Sequence, residues 1–364
     1  MKRLVLASAA LSLLSSVSYA QSSVTLYGLI DEGFDFTSNV AGRRAYQMES
    51  GVLQGSRWGL AGTEDLGRGM QAIFRLENGF DLNNGALGQG GRMFGRQAYV
   101  GLSSTTAGML TMGRQYDSVV DYVGPLTANG SWGGEFFSHP FDNDNTNNSF
   151  RINNSIKYAS PSYGGLNFGG LYGFSNDPGG TKTNRAWSAG GSYSNGPLVI
   201  GAAYLNVNRQ ARTTFGAVTD GDPFATAGWQ RVAAAGVNFA LGQLTLGGVF
   251  SYTNVHNLAG FSSMIFQNYE VSAKFAMTPA FSLGAMYDYT HVREGLQTGD
   301  VAKGHWHEGG VMADYALSKR TDVYAQAFYQ RATGAAGPAW IVGTTGAASG
   351  DHQIAGRVGM RHKF

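Results

Sequence analysis

The side chains best placed to do chemistry in this chain are ionised ones set among alternating apolar residues. Arg57 has Trp58 and Leu60 on the opposite parity; Arg75 and Glu77 oppose Phe74 and Leu76; Arg151 and Lys157 oppose Ile152, Ile156 and Tyr158. Successive side chains of an extended chain point to opposite faces, so these charges share one face and the apolar residues take the other. Such a face holds and steers ions; it does not by itself break bonds. If the apolar face meets lipid, turning an Arg or Lys outward costs about 2–4 kcal/mol near the bilayer midplane and about 0–1 kcal/mol at the rim. The charges are therefore expected to face a watery interior, with the rim as the alternative for strand-end residues such as Arg57. Arg96 stays ambiguous, because Tyr99 and Val100 could each face lipid. Arg114 shares its parity with Leu110 and Met112 and reads as a rim or subunit-contact residue.

Other chemistry is sparse. His305 and His307 share a face with Trp306 between them and Glu308 beside them. That spacing could bind a metal or position a base, as in a barrel enzyme, but a pair at the outer rim beside an interfacial Trp is the favoured reading. Asp142 and Asp144 could hold calcium, although solvated surface carboxylates are the default. There is no cysteine, which removes disulfides, thiolate nucleophiles and Cys-based zinc sites. No cofactor is indicated.

The elements that must position these residues are short strands. The chain opens Met1-Lys2-Arg3, runs apolar from Leu4 to Leu14 and reaches Ser18-Tyr19-Ala20. This is the form of a secretory signal peptide, so residues 1–20 are expected to be removed and 21–364 to form one barrel. No later stretch has 18 apolar residues in a row, which excludes a helical membrane protein. Charged residues are 14%, well under the roughly 25% of an ordinary soluble domain. Losing Lys2 and Arg3 leaves equal numbers of basic and acidic residues, and nothing suggests a nucleic-acid binder.

Alternation is clean in several segments. Leu244, Leu246, Gly248, Phe250 and Tyr252 oppose Thr245, Gly247, Val249 and Ser251; Phe281, Leu283, Ala285, Tyr287 and Tyr289 oppose Ser282, Gly284, Met286, Asp288 and Thr290. Ile354, Val358, Met360, His362 and the terminal Phe364 oppose Arg357, Gly359, Arg361 and Lys363. Short turns near Thr63–Arg68, Ser104–Ala107, Ser160–Gly164, Ser194–Pro197, Ala240–Gly242, Ala276–Pro279 and Leu317–Arg320 alternate with long polar loops. The long loops fall near Thr37–Val52, Asp81–Gly91, Asp117–Ser149, Asn176–Asn184, Asn208–Gly228, Val255–Ile265, His291–Gly304 and Thr333–Asp351. These connectors join sixteen strands, with both ends of the chain on the short-turn side. The fold expected is all-β: a 16-stranded antiparallel transmembrane β-barrel, wide enough to keep an aqueous lumen. A soluble sandwich would explain neither the connectors nor the terminal Phe364.

The segment Asp117–Ser149 exceeds the roughly 12–15 residues beyond which a loop is usually functional or disordered. It carries Val119, Val120, Tyr122, Leu126, Trp132, Phe136, Phe137 and Phe141. Folding back onto the inner wall would bury these residues and narrow the lumen; a surface lid is the alternative.

At this point the chain resembles the general-diffusion porins of Gram-negative bacteria, in their betaproteobacterial branch. The resemblance rests on Ser22-Ser23-Val24-Thr25-Leu26-Tyr27-Gly28, Gly55-Ser56-Arg57-Trp58-Gly59-Leu60 and Glu64-Asp65-Leu66-Gly67. It extends through Gly95-Arg96-Gln97-Ala98-Tyr99-Val100-Gly101-Leu102, Gly113-Arg114-Gln115-Tyr116, Lys157-Tyr158-Ala159-Ser160-Pro161 and the closing Arg361-His362-Lys363-Phe364. It implies an inward-folded third loop bearing acids and a basic ladder on the facing wall. By position Arg57, Arg96 and Arg151 match the ladder and Glu135 the loop acid. Leu29 stands where some relatives have lysine, so one rung is missing. The resemblance also implies a homotrimer in outer-membrane lipid, with Phe364 read by the barrel assembly machinery.

The expected function is passive diffusion of ions and small hydrophilic solutes through a water-filled pore in the cell outer membrane, with no bond made or broken. The expected constriction sets Arg57, Arg75, Arg96, Arg151 and Lys157 against Glu77, Glu135, Asp117 and Asp121, which leans toward weak anion preference. An adhesin or a substrate-specific channel, with Trp132, Phe136 and Phe137 forming an aromatic slide, are the rival readings.

Overall fold

The computed structural model describes residues 22–178, 183–209 and 215–364; the signal segment 1–20 lies outside the described residues. Strands β1 (Ser23–Val40), β2 (Arg43–Ser50), β3 (Arg57–Gly67), β4 (Met70–Gly79), β5 (Gln97–Ser104), β6 (Gly108–Gln115), β7 (Ile152–Ala159) and β8 (Leu166–Gly173) form the first half. The second half is β9 (Arg185–Asn195), β10 (Leu198–Asn208), β11 (Trp229–Leu241), β12 (Leu244–Leu258), β13 (Phe261–Ala276), β14 (Phe281–Leu296), β15 (Val301–Ala316), β16 (Thr321–Gly334) and β17 (His352–Lys363). Apart from β2 and β3, which both pair with β1, every strand pairs antiparallel with its neighbour in sequence. The ring closes through β1 and β17, from Leu29↔Lys363 to Thr37↔Ala355. β1 pairs with β2 at its outer half and with β3 at its inner half. Those two are therefore one stave interrupted at 51–56, and the barrel has sixteen staves. Closure leaves no backbone edge in the lipid.

Inside and outside follow from burial. Val358 is 65% exposed while its neighbour Arg357 is 2% exposed. The same alternation runs along β12 and β14, where Leu246, Phe250, Leu283 and Tyr287 face out and Val249, Ser251, Met286 and Asp288 face in. The last residue is fixed in the seam. Phe364 N donates to Gly28 O at 3.0 Å, and Gly28 N donates to Phe364 O at 3.1 Å. A Cβ on Gly28 would collide with the Phe364 ring.

Three expected loops turn out to be strand. Thr37–Val52 is mostly the β1–β2 hairpin, closed by Ala41 and Gly42, both at positive φ. That pair suits a two-residue turn matching strand twist. Val255–Ile265 and His291–Gly304 are likewise the outer ends of the β12–β13 and β14–β15 hairpins. Their polarity marks where the strands leave the lipid, while backbone pairing continues beyond it. The first short turn sits at Arg68-Gly69, slightly later than expected.

Candidate pore constriction

The segment from Tyr116 to Arg151 between β6 and β7 runs along the inner wall. It opens with a short helix, α1 (Ser118–Tyr122), capped by Asp117, whose carboxylate accepts from Val119 N at 2.7 Å and from Asn145 Nδ2 at 2.7 Å. Val119, Val123 and Leu126 pack with Leu171, Leu205, Val232 and Val249 on the inner face of β8–β12. Further along, Ala128, Phe136 and Phe137 pack with Met286, Met312, Tyr324 and Phe328 on β14–β16. Small residues on the wall make the seat. A Cβ on Gly201 would meet Tyr122 and Leu126, one on Gly284 would meet the Trp132 ring, and one on Gly310 would meet Phe137. The wall also hydrogen-bonds the loop. Glu270 accepts from Ala128 N at 2.7 Å, Gln230 Nε2 donates to Asn143 O at 2.8 Å, and Gln326 Nε2 donates to Gly133 O at 2.6 Å.

A buried polar knot lies where the loop meets β12–β15. His139 is 0% exposed, with Nδ1 2.7 Å from Asp144 and Nε2 3.3 Å from Glu270 and 3.6 Å from Asp288. Asp144 is also bonded by Ser251 and Asn268. Burial works against a charged imidazole, but the Asp144 and Asp288 carboxylates outweigh it and hold His139 well above the usual range. Burial likewise opposes ionisation of Asp144, yet His139 holds it at about 2. Nothing in the sequence singled out His139, since its carboxylate partners on β13 and β14 are distant in the chain.

Asp142 and Asp144 are therefore not solvated surface groups. Both are buried, and Asp142 accepts from Asn147 N and Ser149 N at 2.9 Å each. No group of three or more His, Asp or Glu with metal-binding geometry occurs among the described residues.

Because the loop leans on β8–β16, a cavity of about 640 Å³ remains between it and the wall formed by β2–β3, the 80–96 loop, Tyr116 and Arg151. Arg57, Arg96 and Arg151 line it, and Glu135 lines its loop side. The three arginines gather round Tyr116 and one carboxylate. Arg96 Nε donates to Glu77 at 2.8 Å and its Nη2 donates to Tyr116 Oη at 3.1 Å. The Arg151 guanidinium lies 5.8 Å from the Tyr116 ring centroid. Arg57 Nε and Arg151 Nε are buried with no hydrogen-bond acceptor. Burial and the Arg96 charge lower Arg151 to about 10, so it stays protonated at neutral pH.

The other expected site residues lie elsewhere. Arg75 sits nearer the short-turn end, over the Tyr27 ring at 5.6 Å. Lys157 pairs with Asp121 and donates to Tyr116 O at 2.9 Å, so those two charges largely cancel. Asp117 is 0% exposed and serves as the helix cap, not as a charge on the cavity surface. Glu135 is bound through its backbone N to Val52 O at 2.7 Å. Burial, then the Glu49 carboxylate, raises its pKa to about 7. Arg114 clamps Asp220 at 3.0 Å and Gly95 O at 2.7 Å. That makes it an intramolecular tie at the long-loop end, where the Gly113 bulge breaks the strand's parity. Arg361, not among the residues expected at the constriction although its parity was legible, also lines the cavity and is paired with Asp322 at 2.9 Å. Glu49 and Asp81 line the same cavity.

Phe136 and Phe137 are almost wholly buried, so they anchor the loop and offer no slide; Trp132 alone of the three reaches the cavity. His305 and His307 face outward, while Trp306 between them is buried inside against Phe266 and Phe141, not at an interface.

Residues 7–335 match a family described as Gram-negative porin. An outer membrane porin protein of Bordetella pertussis is 39% identical over 57% of this chain and 60% of its own length. Outer membrane porin protein 32 of Delftia acidovorans is 28% identical over the full length of both chains. Among solved structures, an anion-selective porin from Comamonas acidovorans superposes with a TM-score of 0.75 at 24% identity, over 94% of this chain and 100% of that one.

Proposed function

The chain belongs to the Gram-negative porins and is a passive channel of the outer membrane, and from that premise we propose that it passes ions and small hydrophilic solutes with a weak preference for anions. The observation that carries the preference is the pair of guanidiniums, Arg57 and Arg151, lining the cavity with buried Nε donors that no acceptor meets. No carboxylate cancels the two guanidinium charges, so an anion crossing the cavity is attracted by them and a cation is repelled. The preference is weak because Glu49, Asp81 and Glu135 line the same space. Glu135, at about 7, carries only part of a charge near neutral pH. Charges set across a narrow wet gap between low-dielectric walls focus the field, so a few side chains suffice. Arg75 and Lys157 act as an approach to this point, nearer the periplasm, and not as its narrowest part.

The same reading makes the protein a homotrimer with one pore per subunit, seated in outer-membrane lipid and assembled through recognition of Phe364. The test is the double substitution Arg57→Glu with Arg151→Glu, read as the zero-current potential across a planar bilayer in a KCl gradient. The permeability ratio should move toward cations by about fivefold, as expected for reversing two charges near the ion path. An unchanged ratio in a correctly folded variant would remove these residues from the constriction.

A further inference from the structure

The outer face of β13–β16 carries two features that diffusion through the lumen does not use. Cross-strand register places Arg293 beside Lys303 and His291 beside His305, all with outward parity. Arg293 and Lys303 are exposed, and neither is in an ion pair among the described residues. The acids of these strands, Glu270, Asp288, Glu294, Glu308, Asp314 and Asp322, have the opposite parity and face inward. Two loop acids are engaged elsewhere: Asp351 lies 3.4 Å from Arg331, and Asp300 accepts from Thr298 Oγ1 in the turn.

Below this basic group Tyr269, Tyr287, Tyr289 and Tyr329 form an aromatic row. Below that row lies an apolar groove of about 540 Å³, floored by Ala273, Ala285, Ala313, Ala325 and Ala327 and flanked by Val311. The other aromatic row, Phe275, Phe281 and Tyr315, lies on the short-turn side. From Phe281 to Tyr289 is about 27 Å along the strand, which, allowing for tilt, roughly matches the ~25 Å apolar band of such barrels. The four basic residues therefore stand just beyond the band, at the depth of the outer-leaflet headgroups, and the groove stands at the depth of the acyl chains.

We propose that this face is a lipid-binding site. The phosphate of an outer-leaflet glycolipid headgroup sits among His291, Arg293, Lys303 and His305, and one acyl chain lies in the alanine groove. Charge complementarity selects the phosphate. The missing side-chain volume along the alanines selects a flexible chain over a flat protein surface. This inference rests on the outer-membrane placement of the barrel and not on its ion preference.

The experiment is native mass spectrometry of the purified full-length protein in neutral detergent, titrated separately with bis-phosphorylated lipid A, its dephosphorylated form and inorganic phosphate. The phosphorylated lipid should bind each subunit, and the dephosphorylated form at least tenfold more weakly. Inorganic phosphate in excess should not displace the bound lipid. Two variants report on the two halves of the site: Arg293→Ser with Lys303→Ser, and the groove-filling Ala285→Phe. Each should weaken lipid binding about tenfold or more while leaving single-channel conductance unchanged, which also shows that the barrel folded. Equal binding of the dephosphorylated lipid, displacement by free phosphate, or undiminished binding by both variants would overturn the proposal. A changed subunit count in Ala285→Phe would do so too, by assigning the face to contact between copies. Should a variant not fold, the three titrations of the unaltered protein decide.

Discussion

At the scale of single residues, the cavity is controlled by how its charges are neutralised. Of the five basic residues expected at the constriction, Lys157 is paired with Asp121, Arg96 is shared with Glu77, Arg75 lies over the Tyr27 ring, and Arg57 and Arg151 have no carboxylate partner. Glu135 lines the loop side of the same cavity and titrates near neutral pH. Burial raises it to about 7, so it is neutral well below that pH and ionised well above it. The anion preference should therefore be stronger at pH 5.5 than at pH 8.5. Reversal potentials at the two values would show it, and Glu135→Gln should flatten the difference. An equal pH dependence in that variant would point to another group. Parity pointed Arg57 and Arg151 inward, because charge in lipid is costly, but left Arg96 ambiguous; only the resemblance grouped the three, which all line the cavity. Parity could not show which charges are cancelled, since that depends on contacts such as Lys157 to Asp121 across the fold.

At the scale of elements, the third loop is held by apolar packing along its length and by one buried ionic knot. The sequence foretold the packing, because eight large apolar residues in a polar connector need a surface to cover them. It gave no sign of the knot or of the glycine seat, which arise from strands far apart in the chain. Removing one partner of a buried pair leaves uncompensated charge and typically costs about 3–5 kcal/mol. His139→Leu should thus loosen the loop, seen as noisier single-channel current and faster proteolysis within 117–149, while the barrel's thermal unfolding changes little. A quiet channel in that variant would make the knot dispensable.

Protonation of the knot has a definite sign. Docking raises the proton affinity of His139, so this contribution is complete below the ordinary imidazole value of about 6.5 and fades as pH rises through the raised one. Asp144 is held at about 2, so its contribution is present above the ordinary carboxylate value of about 4 and is lost as pH falls toward 2. Asp142 is raised to about 7 by burial and by Asp144, so its ionisation also opposes docking at higher pH. The loop should be held most firmly at about pH 4, ease as Asp142 ionises toward about 7, and loosen further as His139 loses its proton; below about pH 4 it loosens as Asp144 is protonated. Current noise recorded across pH would follow that course in the unaltered protein, and His139→Leu would be noisier throughout and lose the part of the alkaline rise that His139 deprotonation causes, keeping the part due to Asp142.

At the scale of the whole molecule, closure is the property everything else needs. The sixteen staves and the side facing lipid were legible from period-two alternation and the rhythm of connectors. The outer hairpins were not, because polarity reports the water boundary and not the end of backbone pairing. The seam between β1 and β17 is completed by Phe364, whose ring covers Gly28. Deleting Phe364 should lower the amount of assembled barrel in the outer membrane severalfold while synthesis continues, measured by heat-modifiable migration of membrane fractions. Unaltered assembly would confine Phe364 to a local packing role.

A wet lumen lined by the uncancelled guanidiniums of Arg57 and Arg151 should pass chloride faster than potassium. The most direct measurement is the zero-current potential of the unaltered protein, reconstituted as single channels in a planar bilayer under a KCl gradient at neutral pH. Discrete conductance steps with a modest potential of the sign given by chloride permeating faster than potassium are predicted. No conductance, or a clear potential of the cation-selective sign, would contradict it.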